Sequence, residues 1–227
     1  MIKTILFDLD GTLADTAPDL GFALNTMRSA RGLAPLAIAS LRSYASLGAR
    51  GLLSIGFGLA PGDEQYEAMR DEFLDAYARN LCRDTRLFAG MQELLAALEE
   101  RGLRWGVVTN KAERFALPLI ALLNLAGRAA CVIGGDTTGK TKPDPAPLFA
   151  ACRAIDASPR ECAYVGDDLR DVQAGRAAGM KTVAVRYGYL NGSNPDTWNA
   201  DTIIDNPTDL LAVLDSRWST ARATLDN

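Results

Sequence analysis

Short apolar runs recur along the chain, most of them closed by a polar or glycine-rich turn. They occupy residues 5–7, 105–108, 130–133, 163–165, 182–185 and 202–204. Runs this short and this uniformly apolar predict strands buried on both faces. Helical spacing falls between several of them. Met91, Leu94, Leu95 and Leu98 recur at 0, 3, 4 and 7, with Gly102 placed to close the helix. A second helix is expected to open near Asp168 and stop at Gly179. Strands alternating with helices predict a parallel α/β sheet.

From about Asp15 to Arg86 the alternation stops, and no strand is expected. Tyr66, Met69, Phe73, Tyr77 and Leu81 share one helical face, and the glycine-rich stretch 48–62 suits a turn between helices. This region is expected to be a helical insertion after the first strand. The last ten residues or so are expected to fray. No internal repeat or low-complexity segment is evident in the sequence.

Composition narrows the classes of function. The 227 residues suffice for one substantial domain carrying a smaller insertion. A net charge of −4 argues against a nucleic-acid or anionic-membrane partner, although a local anion site remains compatible with it. Asp8 interrupts the first apolar run too early for a signal peptide. The longest apolar stretch, 115–126, contains Pro118 and Asn124 and is too short to span a bilayer. Cys82, Cys131, Cys152 and Cys162 form no C-x-x-C pair and are expected to be reduced thiols of a cytoplasmic protein. The chain has no histidine, which excludes every histidine base, nucleophile or metal ligand. Only Lys3, Lys111, Lys140, Lys142 and Lys181 are available for a lysine role.

In open parallel sheets, ligands bind beyond the carboxyl ends of the strands. The residues past those ends are Asp8 and Asp10, then Thr109, Asn110 and Lys111, then, through Gly134-Gly135-Asp136, Lys142, then Asp167, Asp168 and Asp171. Residues two apart in an extended segment point the same way, so Asp8 and Asp10 can flank one reacting group as nucleophile and general acid–base. A solvated turn or a helix cap explains the same string about equally well. A calcium loop beginning at Asp8 fails at its sixth position, where Leu13 stands in place of glycine. The Asp167–Asp168–Asp171 cluster exceeds what one N-cap needs. Crowded with Asp8 and Asp10 it would repel itself without a hard cation such as Mg²⁺. Lys142, stiffened by Pro143 and Pro145, and Thr109 could face an anion. A solvated lysine and the N-cap of the following helix are the plainer alternatives.

Taken in order, Asp8-Leu9-Asp10-Gly11-Thr12-Leu13, Val107-Val108-Thr109-Asn110, Lys142-Pro143-Asp144-Pro145 and Val165-Gly166-Asp167-Asp168 through Asp171 resemble the four motifs of the haloacid dehalogenase-like hydrolase superfamily. The resemblance covers nearly the whole chain. It implies Asp8 as nucleophile and Asp10 as acid–base, with Thr109, Asn110 and Lys142 holding phosphate. It also implies that Asp8, the Asp10 carbonyl and Asp167 bind Mg²⁺, supported by Asp168 and Asp171. Dehalogenases lack an aspartate like Asp10. Phosphonate hydrolases need a cap lysine and the sugar phosphomutases a cap histidine, and residues 16–85 contain neither. What remains resembles the phosphoglycolate phosphatases and, in the strings 87–91, 105–111, 166–171 and 185–189, the N-acetylmuramic acid 6-phosphate phosphatases of carbohydrate metabolism in cell-wall recycling.

The expectation is therefore a Rossmann-like parallel-sheet core at 1–15 and 86–217, a small α-helical cap domain at 16–85, and a tail at 218–227. The resemblance implies a Mg²⁺-dependent phosphatase, expected to be cytoplasmic, monomer or homodimer, and to act on a small phosphorylated metabolite such as 2-phosphoglycolate or N-acetylmuramic acid 6-phosphate. With no cap lysine or histidine, Arg42 and Arg50 are expected to read the substrate's carboxylate. A receiver-like signalling domain would carry its acidic pair after strand one and its phosphoacceptor after strand three, without a large insertion. A catalytically silent binding protein would have lost a motif position, and none is missing.

Overall fold

All four residues of β1 (Thr4–Phe7) are buried, which places this strand at the centre of the sheet. The computed structural model describes residues 1–218. From β1 the chain passes through a two-residue strand, β2 (Ala14–Asp15), into α1 (Ala17–Ala30), α2 (Ile38–Ala45), α3 (Gly48–Phe57) and α4 (Tyr66–Ala78). It returns through β3 (Arg86–Leu87), which pairs antiparallel with β2. Then follow α5 (Met91–Glu100), β4 (Arg104–Val108), α6 (Glu113–Leu122), β5 (Val132–Ile133), α7 (Ala146–Ala154), β6 (Cys162–Gly166), α8 (Leu169–Ala177), β7 (Lys181–Val185), β8 (Thr202–Ile204) and α9 (Asp209–Val213).

The main sheet has the order β5-β4-β1-β6-β7-β8, with every neighbouring pair parallel. The chain steps from β1 to β4 and β5 on one side, then to β6, β7 and β8 on the other. Strand order thus reverses at β1, and the crevice past its carboxyl end is where such sheets take ligands. Alternation along the strands serves two cores. Ile5, Phe7, Trp105 and Val107 pack with α5, α6 and α9, whereas Leu6, Val108 and Tyr164 pack with α7 and α8. Gly106 keeps this central packing close, since a Cβ there would lie 2.7 Å from Cys131 Sγ.

Helices α1 to α4 pack on one another. The expected face of α4 is present, with Tyr66, Met69, Phe73 and Tyr77 buried, while Leu81 lies beyond the helix end. The two short strands β2 and β3 mark the places where this segment leaves and rejoins the core, one residue inside the stretch expected to be strand-free. The turn expected over 48–62 is largely the helix α3, closed by Gly58 in the left-handed region. Its glycines allow close helix packing: a Cβ at Gly56 would lie 2.6 Å from Leu24. Burial of Leu52 and Leu53 outweighs the low helix propensity of the segment. The ends of α5 and α8 fall where expected. Gly102 and Gly179 both adopt positive φ, and their N–H groups donate to Glu99 and Arg176 carbonyls. The tail expected at 218–227 lies outside the described residues except for Trp218. Among the described residues no helix is long and apolar enough to cross a membrane. All four cysteines are free.

Candidate active site

The loops at the carboxyl ends of β1, β4 and β6, the Lys142 turn, and α2–α4 enclose a cavity of about 310 Å³. Asp8, Asp10, Thr109, Asn110, Lys142, Asp168 and Asp171 line it, so the structure brings most of the sequence-derived candidates together.

Asp8 is the first residue past β1, and its N–H donates to the Val165 carbonyl of the neighbouring β6. Its carboxylate lies 2.8 Å from Lys142 Nζ. Lys142 Nζ also lies 2.7 Å from Asp171 Oδ1 and donates to the Tyr164 hydroxyl at 2.7 Å. Tyr164 in turn donates to the Val108 carbonyl. Lys142 is 4% exposed. Burial alone would lower its ammonium, but Asp171 and Asp8 overcome this and hold it above its ordinary value. The turn carrying Lys142 is pinned by Asn110, whose Oδ1 accepts from Lys142 N–H and whose Nδ2 donates to the Lys142 carbonyl. The Asn110 side chain, expected to hold phosphate, is thus committed to positioning Lys142.

Asp8, Asp167 and Asp171 each offer a carboxylate oxygen, and these oxygens lie within 4.8 Å of one another. Asp167 is 1% exposed and accepts from Thr12 Oγ1 at 3.1 Å and Tyr189 N–H at 2.6 Å. No cation among the described residues touches it. Burial, reinforced by Asp8 and Asp171, pushes its carboxyl well above the carboxylate range. Burial also raises Asp171, to about 6, against the opposing pull of Lys142. Three buried carboxylates facing one ammonium form an all-oxygen donor set short of positive charge. That chemistry fits a hard divalent cation. Glycine makes the packing possible. Gly11 has φ +87°, and a Cβ there would collide with the Asp167 carboxylate. A Cβ at Gly166 would likewise collide with Asp171.

Asp171 was expected in a supporting role behind Asp8 and Asp167, yet its carboxylate belongs to the cluster itself. It also accepts from Asp168 N–H, completing the capping box of α8. The Asp168 carboxylate is instead taken up by Arg170, which donates from Nε and Nη2 to its two oxygens at 2.8 Å. The Asp10 carboxylate stands apart from the cluster. Its Oδ1 accepts from Thr16 Oγ1 at 2.5 Å and from Lys111 Nζ at 2.7 Å.

Thr109 does not cap the helix that follows it. α6 begins at Glu113, whose N–H is met by Asp136 Oδ1. Thr109 Oγ1 accepts instead from Lys111 N–H and stays at the cavity wall. The structure does not bring Arg42 or Arg50 into the cavity. Arg42 is engaged by both oxygens of Asp15 and lies over the Tyr189 ring, and Arg50 is exposed outside the lining. The segment between them does reach the site, through Ser46 to Ala49. Lys111, which the sequence places just past β4 without a role, lines the cavity, and so do Arg170 and Tyr77, which the sequence did not mark as site residues. The scarcity of lysine, with Lys111 directly after Thr109-Asn110, was a usable signal. Tyr77 carried only the signature of a core aromatic.

The family model described as haloacid dehalogenase-like hydrolase matches residues 5–185. The chain is 45% identical over 216 residues to an N-acetylmuramic acid 6-phosphate phosphatase of Pseudomonas putida, covering 95% of this chain and 97% of that one. It is 42% identical over 206 residues to a phosphoglycolate phosphatase of Xylella fastidiosa, covering 90% of each. The crystal structure of a predicted phosphoglycolate phosphatase from Haemophilus somnus superposes with a TM-score of 0.82 at 27% identity, covering 93% of this chain and 97% of that one.

Proposed function

The chain belongs to the haloacid dehalogenase-like hydrolase family, and from that premise we propose that it is a Mg²⁺-dependent phosphatase that transfers a phosphoryl group from a small phosphomonoester to Asp8 and then to water. The observation that carries this reading is the placement of Asp8. It is the first polar side chain past the central strand, on the cavity floor, beside the Lys142 ammonium and two further buried carboxylates.

The residues divide the work. Lys142 and Thr109 hold the phosphoryl oxygens, with Asn110 and Tyr164 fixing Lys142. An Asp8 oxygen attacks phosphorus as the bond to the leaving oxygen breaks, and Asp10 supplies that oxygen's proton. Asp10 then takes a proton from water as the water oxygen attacks phosphorus and the bond to Asp8 breaks. Thr16 and Lys111 hold the Asp10 carboxylate through both steps. Asp8, Asp167, the Asp10 carbonyl and Asp171 would hold Mg²⁺, which when bound supplies positive charge against the carboxylates and the phosphoryl group. Helices α1 to α4 act as a cap that excludes bulk water and meets the leaving group.

Two substrates are favoured, 2-phosphoglycolate and N-acetylmuramic acid 6-phosphate. The support is the names carried by relatives that match almost end to end. The test is a screen of phosphorylated metabolites including both compounds, with p-nitrophenyl phosphate as reference, in Mg²⁺ and in excess chelator. Mg²⁺-dependent hydrolysis is expected, with one of the two preferred. Absence of phosphate release from every compound would overturn the proposal.

A further inference from the structure

The three buried or half-buried cations of the cavity are committed unequally. Lys142 is enclosed by Asp8, Asp171 and Tyr164. Arg170 is taken by both oxygens of Asp168 and donates to the Ser46 carbonyl. Lys111 has a single carboxylate partner among the described residues, Asp10, although its side chain is only 7% exposed. An ammonium can donate three hydrogens, so Lys111 keeps donors in reserve. Its Nζ lies 4.7 Å from the centroid of the Tyr77 ring. Tyr77 is 1% exposed and lines the cavity, and its hydroxyl has no well-aligned hydrogen-bond partner among the described residues. Buried hydroxyls are ordinarily partnered, and one left without a partner beside Lys111 at a ligand cavity calls for an explanation. Burial raises the Tyr77 phenol to about 12, so it remains a donor.

Leu20, Phe73, Leu74 and Phe115 also line the cavity, and the Phe115 ring centroid lies 5.6 Å from that of Tyr77. Apolar walls strengthen a charge pair and favour one anionic group with few other polar requirements.

We propose that Lys111 Nζ and the Tyr77 hydroxyl form a seat for a carboxylate on the leaving-group half of the substrate. Lys111 belongs to the core loop after β4 and Tyr77 to α4, so the seat is complete only where core and cap helices meet. This assignment rests on the phosphatase reading and specifies how that same site selects its substrate. It gives Lys111 and Tyr77 the task that the sequence suggested for Arg42 and Arg50.

Two matched pairs of compounds test it. 3-Phosphonopropionate and propylphosphonate differ in the carboxylate, and their binding to the Mg²⁺-loaded protein can be measured by calorimetry whether or not the protein turns over. N-acetylmuramic acid 6-phosphate and N-acetylglucosamine 6-phosphate differ in the 3-O-lactyl group that bears the carboxylate and are compared by kcat/KM. In wild type, at least one pair should favour the carboxylate member by about 10–100-fold, the scale of a charge-assisted contact. Lys111→Gln should remove most of that preference. Tyr77→Phe, which keeps the ring and its packing, should reduce it by about 3–10-fold. Lys111→Arg should keep more of it than Lys111→Gln, and this conservative variant guards against misfolding as an explanation. The proposal is overturned if wild type shows no preference in either pair. It is equally overturned if Tyr77→Phe and Lys111→Gln both keep the wild-type ratio, or if Arg114→Gln at the exposed rim abolishes it while they do not. Phosphate release from p-nitrophenyl phosphate by wild type tests the phosphatase reading separately, so the two failures can be told apart.

Discussion

Replacing Asp167 by asparagine should make the metal-free protein more stable while removing most of its response to Mg²⁺. Asp167 is a buried carboxylate whose nearest charged neighbours, Asp8 and Asp171, are also acids, with oxygens within 4.8 Å. Two unit charges at 4.8 Å repel by about 3.5 kcal/mol at an effective dielectric of 20. A proton relieves that repulsion only by being held against the bulk pH, so in either state the metal-free protein bears a cost of a few kcal/mol. Asparagine has nearly the same shape and no charge. Its oxygen can accept from Tyr189 N–H, and its amide can donate to Thr12 Oγ1, whose hydroxyl turns to suit. Exchanging the charged acceptor for a neutral one gives back about 1 kcal/mol. The net gain is about 2 kcal/mol, which raises Tm by about 4–8 °C for a chain of this length. With Mg²⁺ the order reverses. At one hundred times Kd the wild type gains about 2.7 kcal/mol from binding, and the variant gains far less. Thermal unfolding of both proteins, in chelator and across a Mg²⁺ titration, checks this. The reasoning is refuted if the metal-free variant melts at or below metal-free wild type, or if Mg²⁺ raises both curves equally.

Asp10→Asn should slow turnover by about 10²–10⁴-fold, with the greater effect on hydrolysis of the phospho-enzyme when the leaving group is good; pre-steady-state release of p-nitrophenol should show a burst followed by a slow phase, with no burst of phosphate. Chelation should stop hydrolysis and added Mg²⁺ restore it, and full activity in excess chelator contradicts the metal site. Gly11→Ala should weaken Mg²⁺ binding, because its Cβ would collide with Asp167 at a backbone φ of +87°; calorimetry on a variant with wild-type circular dichroism measures the loss.

Much of this arrangement was legible in the sequence because its signals are local. Short apolar runs located the strands of the main sheet, and the residues directly after them located Asp8, Thr109 and Asp167; Lys142 stood out as one of few lysines, before Pro143 and Pro145, in the loop that follows β5. Glycine at 102 and 179 marked the helix ends through its own backbone freedom. The features that escaped depend on distant partners. Helix α3 forms in a glycine-rich stretch because Leu52 and Leu53 are buried, with Leu24 packed closely against Gly56. Asp136, rather than Thr109, meets the N-terminus of α6 from a separate loop. Arg42 is drawn away from the cavity by Asp15, and Lys111 is drawn into it by Asp10. None of these pairings leaves a periodicity or a spacing to read. Asp171 is an intermediate case: its capping position was visible, but its membership of the buried cluster follows only from the approach of β1 to β6.

The central claim is that Asp8 carries the phosphoryl group. The most direct measurement is acid quenching of the Asp10→Asn variant during turnover of p-nitrophenyl phosphate with Mg²⁺, followed by mass analysis of its peptides. The account predicts a mass gain of one phosphoryl group on the peptide containing Asp8, absent when Asp8→Asn is added. A phosphoryl group found on another residue, or steady turnover by the Asp8→Asn single variant, would contradict it.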